Sequence, residues 1–226
     1  MADGNFPELL TMTQQRFSSP GQSLDSLLAE LDAVRNEAER LLGGHEIGDR
    51  ELIACTAGCR TCCVVNVSVA LLEGISIARF VRRQEPGYTE AVMGRLDRLW
   101  SEVRGLADDE RLMLRKDCAF LDARGWCGIY PVRPLICRGV TSTDPEACRQ
   151  ALVGEAFGET RPVLMHRYQQ QLYETLFLGM VAGLEQGGCD GRSFQLTGLV
   201  RYLLNNPGEE EMLLREGCLD WETLYP

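Results

Sequence analysis

Lysine and histidine are nearly missing from this 226-residue chain: Lys116 is the only lysine, and His45 and His166 are the only histidines. A single lysine, with no Gly-x4-Gly-Lys-Ser/Thr run, argues against a P-loop nucleotide site and against Schiff-base chemistry. Two isolated histidines cannot build a histidine-rich metal site, and each is read as structural or solvent-facing rather than as a ligand. Long apolar runs are lacking too. Every hydrophobic stretch is interrupted by Arg, Glu or Gln before ~18 residues, so no membrane span is expected. Residues 1–7 show no basic region leading into an apolar run, so no secretory signal is expected, and the chain is placed in a reducing cytoplasm. Basic charge is scarce overall, with 23 Lys and Arg against 33 Asp and Glu and a net charge of −10. Nucleic acid and anionic membrane both require a concentrated positive face, so neither is expected as a partner.

What the chain does have is cysteine, and its distribution matters more than its amount. Four of the ten cysteines fall within residues 55–63. In a reducing compartment such a cluster points to metal binding or redox work rather than structural disulfides. The spacing is Cys55-x3-Cys59-x2-Cys62-Cys63, followed by Cys118-x8-Cys127-x9-Cys137-x10-Cys148. Spacings of two or three residues let one loop aim several sulfurs at one point, and thiolates suit zinc and iron–sulfur centres. Adjacent Cys62 and Cys63 diverge by roughly 100° in a helix and point to opposite faces in a strand, so they are not expected to act alike on one ion. Cys189 and Cys218 stand apart and are read as small packing residues.

The remaining pattern is helical. Residues 1–21 are polar and punctuated by Pro and Gly, and are expected to form a flexible tail or a surface clasp, with a single helical domain over 22–226. Leu24, Leu27, Leu31, Val34, Ala38 and Leu41 mark one face of a helix over about 24–42. Helices are also expected over about 69–83, 90–106, 108–116, 162–185, 195–205 and 208–216. The stretch 118–130 reads as a short hairpin turning near Gly125. Pro131 and Pro134 hold the following segment out of helix. The expected class is mainly α: an irregular helical domain with a small hairpin and loop region organising a cysteine-rich metal site.

The two cysteine groups, with Cys118-x-Phe120-Leu121-x3-Gly125-x-Cys127-x-Ile129-Tyr130-x2-Arg133-Pro134-x2-Cys137-Arg138 in the second, resemble the YkgJ-like or CxxCxxCC family. Its members are described as zinc- or iron-chelating, and it includes the cysteine-rich region of flagellin lysine-N-methylases. The resemblance spans about 55–148. It implies that Cys55, Cys59, Cys62, Cys63, Cys118, Cys127, Cys137 and Cys148 form a metal centre. The methylase branch implies an iron–sulfur cluster and leaves S-adenosylmethionine as a candidate cofactor. The triplet Cys55-x3-Cys59-x2-Cys62 has the spacing of radical S-adenosylmethionine enzymes, but Thr61 stands before its third cysteine, where those enzymes commonly carry an aromatic. No glycine-rich turn after a strand suggests an ordinary methyltransferase site.

Two functions follow as expectations. One is an iron–sulfur protein with a redox or methylation-assisting role. The other is a structural zinc module that presents a surface to a protein partner. The irregular cysteine spacing lacks the paired two-residue knuckles of zinc ribbons, which favours iron–sulfur. Arg133 and Arg138 are placed to offset thiolate charge, while Phe120, Trp126, Ile129 and Tyr130 are candidates for excluding water.

Overall fold

The computed structural model describes residues 5–44, 50–156, 159, 162–219 and 224, and the chain is mainly helical. Helix α2 (Leu24–Gly44) buries Leu24, Leu27, Leu31, Val34, Ala38 and Leu42, so the heptad-like stripe faces the core. Leu42, rather than the expected Leu41, closes that stripe. Helix α3 (Leu71–Arg82) is the most enclosed, with nine of its twelve residues buried. The Glu85-Pro86-Gly87 run that ends α3 also starts α4 (Pro86–Val103), because proline fits the first helical turn.

The tail expected over residues 1–21 is instead helical at α1 (Phe6–Phe17), and Phe17 is fully buried. The reason lies in α8 (Arg167–Gln186), where Gly179 and Gly183 are followed at the same four-residue spacing by the C-cap Gly187. A Cβ at Gly179 would sit 2.9 Å from Leu10 O, and one at Gly187 would sit 2.7 Å from Phe17 O. The glycines therefore let the two backbones approach closely. Helix α8 also begins later than the Pro162 start expected from periodicity. Thr141 Oγ1 accepts from His166 N at 2.8 Å and Leu164 O accepts from Thr143 N at 3.2 Å, so the preceding residues lie extended along 141–143. Leu164 is consequently exposed. His166 caps α8, its Nδ1 accepting from Gln169 N at 3.1 Å, which is a structural task. His45 lies outside the described residues.

A two-stranded antiparallel sheet pairs β1 (Ser68–Ala70) with β2 (Ser193–Gln195), in the register Val69↔Phe194. Each strand runs directly into a helix, β1 into α3 and β2 into α9 (Leu196–Asn205). The pair thus sets the two helices side by side, and a Cβ at Gly74 of α3 would collide with Leu199 of α9. The remaining helices are α5 (Asp108–Leu114), α6 (Leu135–Gly139), α7 (Pro145–Ala156) and α10 (Glu210–Glu216). The short hairpin expected near Gly125 reduces to one antiparallel bridge, Leu121↔Cys127, around a turn at Gly125 with φ of +79°. Among the described residues, no helix is long and apolar enough to cross a membrane.

Candidate metal centre

The first cysteine group lies on turns rather than on regular structure. Gly58 adopts φ of +90°, a conformation that side chains oppose, and it reverses the chain between Cys55 and Cys59. Cys59 N donates to Thr56 O at 3.0 Å and Cys63 N donates to Arg60 O at 2.9 Å, so successive turns carry the sulfurs. The second group comes from four settings, Cys148 lying on α7. Cys118 precedes the hairpin, Cys127 sits in its bridge, and Cys137 rides the short helix α6.

Backbone hydrogen bonds join the two groups. Cys118 N donates to Cys63 O at 2.7 Å, and Ala54 N donates to Ser142 O at 2.8 Å. The result is a cavity of about 660 Å³ whose lining includes Cys55, Cys59, Cys62, Cys63, Cys118, Cys127 and Cys137. Cys148, on α7, does not line it, although its charge is felt at Cys55. Neither Cys189 nor Cys218 lines the cavity. Cys189 is buried and accepts from Arg215 Nη1 at 3.1 Å, but Cys218 is exposed, against the packing role expected for it.

The electrostatics divide the thiols. Cys62 and Cys63 do not behave alike. The Cys63 thiol donates to the Cys62 sulfur, which, with Arg133 nearby, lowers Cys62 to about 6. The same bond, with burial, holds the Cys63 proton firmly in place. Burial pushes Cys118 up to about 11 and Cys137 up to about 12. Burial also raises Cys55 and Cys127. Two backbone donors oppose it, Phe120 N–H toward the Cys118 sulfur and Ile129 N–H toward that of Cys127. Hydrogen bonds of this kind favour a charged sulfur, which is the form that binds metal.

Arg133 and Arg138 turn out to have different tasks. The Arg133 guanidinium acts on Cys62, Cys63, Cys118, Cys127 and Cys137, and no carboxylate pairs with it among the described residues. Arg138 is nearly buried and donates to the carbonyls of Tyr130, Pro131 and Arg133 at 2.9, 3.0 and 3.0 Å. It also pairs with Glu39 at 3.0 Å. Its main task is to hold the segment between Cys127 and Cys137. Of the apolar candidates, Phe120 and Ile129 are buried, but Trp126 and Tyr130 are 47% and 61% exposed. Those two form part of the rim and do not exclude water.

Among the described residues, no three His, Cys, Asp or Glu side chains are already drawn to one point as ligands. The donor chemistry nevertheless suits a soft or borderline metal: sulfurs from both groups, backbone N–H donors to two of them, and an unpaired guanidinium. Residues 54–157 match a family model described as "Putative zinc- or iron-chelating domain". This stretch belongs to the CxxCxxCC family. The CxxCxxCC domain thus contains all eight cysteines of the two groups, Cys148 included. No curated protein and no solved structure matches the chain.

Sequence reasoning missed three residues around this domain. Glu73, fully buried in α3, accepts from Ala70 N at 3.3 Å and from Leu135 N at 2.8 Å, so it anchors the start of the helix carrying Cys137. Arg35 of α2 donates to Ser76 Oγ at 2.9 Å and to Val132 O at 3.2 Å. Arg111 of α5 is 2% exposed and feels the Cys118 charge. Glu73 lies within an apolar helical stripe and was legible as a polar break in it. Arg35 and Arg111 carry no local signal of burial.

Proposed function

We propose that the CxxCxxCC domain holds a metal centre through Cys55, Cys59, Cys62, Cys63, Cys118, Cys127, Cys137 and Cys148, and that the resident group is an iron–sulfur cluster with a redox or methylation-assisting role in a reducing cytoplasm. The observation that carries this reading is the enclosure of sulfurs from both cysteine groups around one cavity, with the Arg133 guanidinium acting on five of them. Bound there, such a cluster would supply one-electron chemistry. The chain contributes the thiolates, the N–H donors of Phe120 and Ile129, and the positive charge of Arg133, which offsets a sulfur-rich anionic centre. The cavity has solvent-exposed lining residues in Trp126 and Tyr130. A purely structural zinc site is four-coordinate and closed, so an accessible cavity favours a reactive centre.

Anaerobic purification followed by metal and sulfide analysis with a visible spectrum tests the reading. We expect brown protein with iron and sulfide in comparable amounts. Colourless protein with stoichiometric zinc would replace the cluster by the zinc module and its protein partner. Unchanged metal content in Cys59→Ala and Cys127→Ala would overturn the joint site altogether. Adding S-adenosylmethionine to the same samples tests that cofactor, through a change in the cluster's visible or paramagnetic spectrum.

A further inference from the structure

The same cavity has a second set of features that metal binding does not explain. Arg111 is 2% exposed and lines the cavity, and its Nη2 donates to Lys116 O at 2.6 Å, but its Nη1 has no hydrogen-bond partner among the described residues. Asn66 lines the cavity as well. Its Nδ2 donates to Asp108 Oδ1 at 2.9 Å, while its buried Oδ1 accepts no hydrogen bond from the described residues. Asp108 and Arg111 are three residues apart on α5, so the partner of Asn66 and Arg111 itself leave that helix on the same side. A buried polar atom without a partner costs on the order of 1–3 kcal/mol, so two such atoms on residues lining one cavity mark groups that a ligand would satisfy.

The rest of the lining is largely apolar, with Val65, Leu99, Ile136, Val140 and Phe177 contributing. Ile136 and Val140 are 46% and 41% exposed, so the cavity is reached from solvent on their side. At about 660 Å³ the cavity as a whole falls within the ~300–1,000 Å³ of small-molecule sites.

We propose that this cavity binds a small organic acid beside the cysteines: a carboxylate, with an O–H or N–H donor on the adjacent carbon, on an apolar body. Arg111 Nη1 takes the carboxylate, Asn66 Oδ1 accepts from the neighbouring donor, and the body lies against Leu99, Val140 and Phe177. The inference adds a ligand to the metal-centre reading. It stands on the cavity and its two unpaired atoms, so metal content is measured on every sample to keep the two readings separable.

The test is calorimetric titration of the full chain, purified anaerobically, with 2-hydroxy-4-phenylbutyrate, 4-phenylbutyrate and the neutral 4-phenylbutyramide. We expect saturable one-to-one binding in that order of affinity, the amide being weaker than the parent acid by about tenfold or more. Val140→Trp should block all binding while metal content stays unchanged. Asn66→Leu should remove the advantage of the 2-hydroxy acid over the parent acid. Arg111→Met should abolish the preference for acid over amide, and Arg111→Lys should restore part of it, which separates lost recognition from lost folding. Equal binding of acid and amide, or full binding by Val140→Trp, would overturn the proposal. So would a metal-loaded protein that binds none of the three, since Arg111 would then serve only the thiolates. Binding of the acid by protein that holds no metal would uphold this site and refute the metal centre.

Discussion

The helical scaffold and the cysteine-bearing loops of this chain are held together by different physics. In the scaffold, α2, α3, α8 and α9 meet through fully buried aliphatic residues such as Leu27, Ile75, Leu176 and Leu199. Cohesion there follows apolar area removed from water, and it is spread over many contacts. The loops over 55–63 and 118–137 depend less on such packing: the first buries no large apolar side chain, and the second buries Phe120, Leu121, Ile129 and Leu135. They are shaped instead by turns at Gly58 and Gly125, by the Cys118–Cys63 backbone bond, and by Arg138 gathering three carbonyls. A region built this way tolerates rearrangement of its side chains, which suits a site that must close around a metal. A close-packed core does not.

The contrast can be tested by substitutions on each side of it. Leu27→Ala should show the largest effect, a loss of about 2–5 kcal/mol of stability in denaturant unfolding, because the cavity it leaves cannot collapse. If the loops were as cooperative as the core, metal affinity would fall in proportion; we expect the surviving folded protein to bind metal normally. Gly183→Val comes next, at about 1–3 kcal/mol, since its side chain would meet Gln14 and Phe17 and lever α1 away from α8. Fluorescence or circular dichroism melts measure it, and an unchanged melting temperature would show that α1 contributes nothing.

Arg138→Met should cost about 1–2 kcal/mol globally and weaken metal retention more than either scaffold variant does, because it frees the carbonyls of Tyr130, Pro131 and Arg133. Equal metal retention in Arg138→Met and Leu27→Ala, measured by chelator competition, would erase the distinction between the regions.

The smallest effect concerns charge alone. In protein stripped of metal, iodoacetamide should modify Cys62 first and Cys118 and Cys137 last, because the first is lowered to about 6 and the others are raised to about 11 and 12. Cys62 is a thiolate above its pKa, so its alkylation rate should climb through pH 6 and then level off. Arg133→Gln removes a cation that favours the thiolate, so that midpoint should move upward. Peptide mapping by mass spectrometry reads both results. Metal loading should release the protons held by Cys118 and Cys137, so apparent affinity should rise with pH across the neutral range.

Much of the scaffold was legible because periodicity reports burial directly. The stripe Leu24–Leu27–Leu31–Val34–Ala38 faces inward as its spacing requires, and β-branched residues with proline and glycine punctuation located most of the other elements. Two misreadings share one cause. Residues 6–17 read as a polar, punctuated tail, yet they fold against a groove that glycines at 179, 183 and 187 open about 170 residues away in sequence. Residues 162–166 do have helical spacing, yet Thr141 and Thr143 hold them extended. Long-range partners outweighed local preference in both places.

The cysteine spacing by itself determined that thiol chemistry lies in residues 55–148, and it identified eight candidate sulfurs, because ligand type and loop geometry are local properties. Only the tertiary structure decided which charges serve them. Arg133 and Arg138 are five residues apart and read alike in sequence, but one faces sulfurs and the other faces carbonyls. The fold also shifts Cys62 and Cys63 in opposite directions, and it puts Asn66 and Arg111 in the lining of one cavity, each with an unused hydrogen-bonding atom among the described residues. Hydrogen bonding and desolvation depend on what the folded chain brings from elsewhere, and no spacing rule records that.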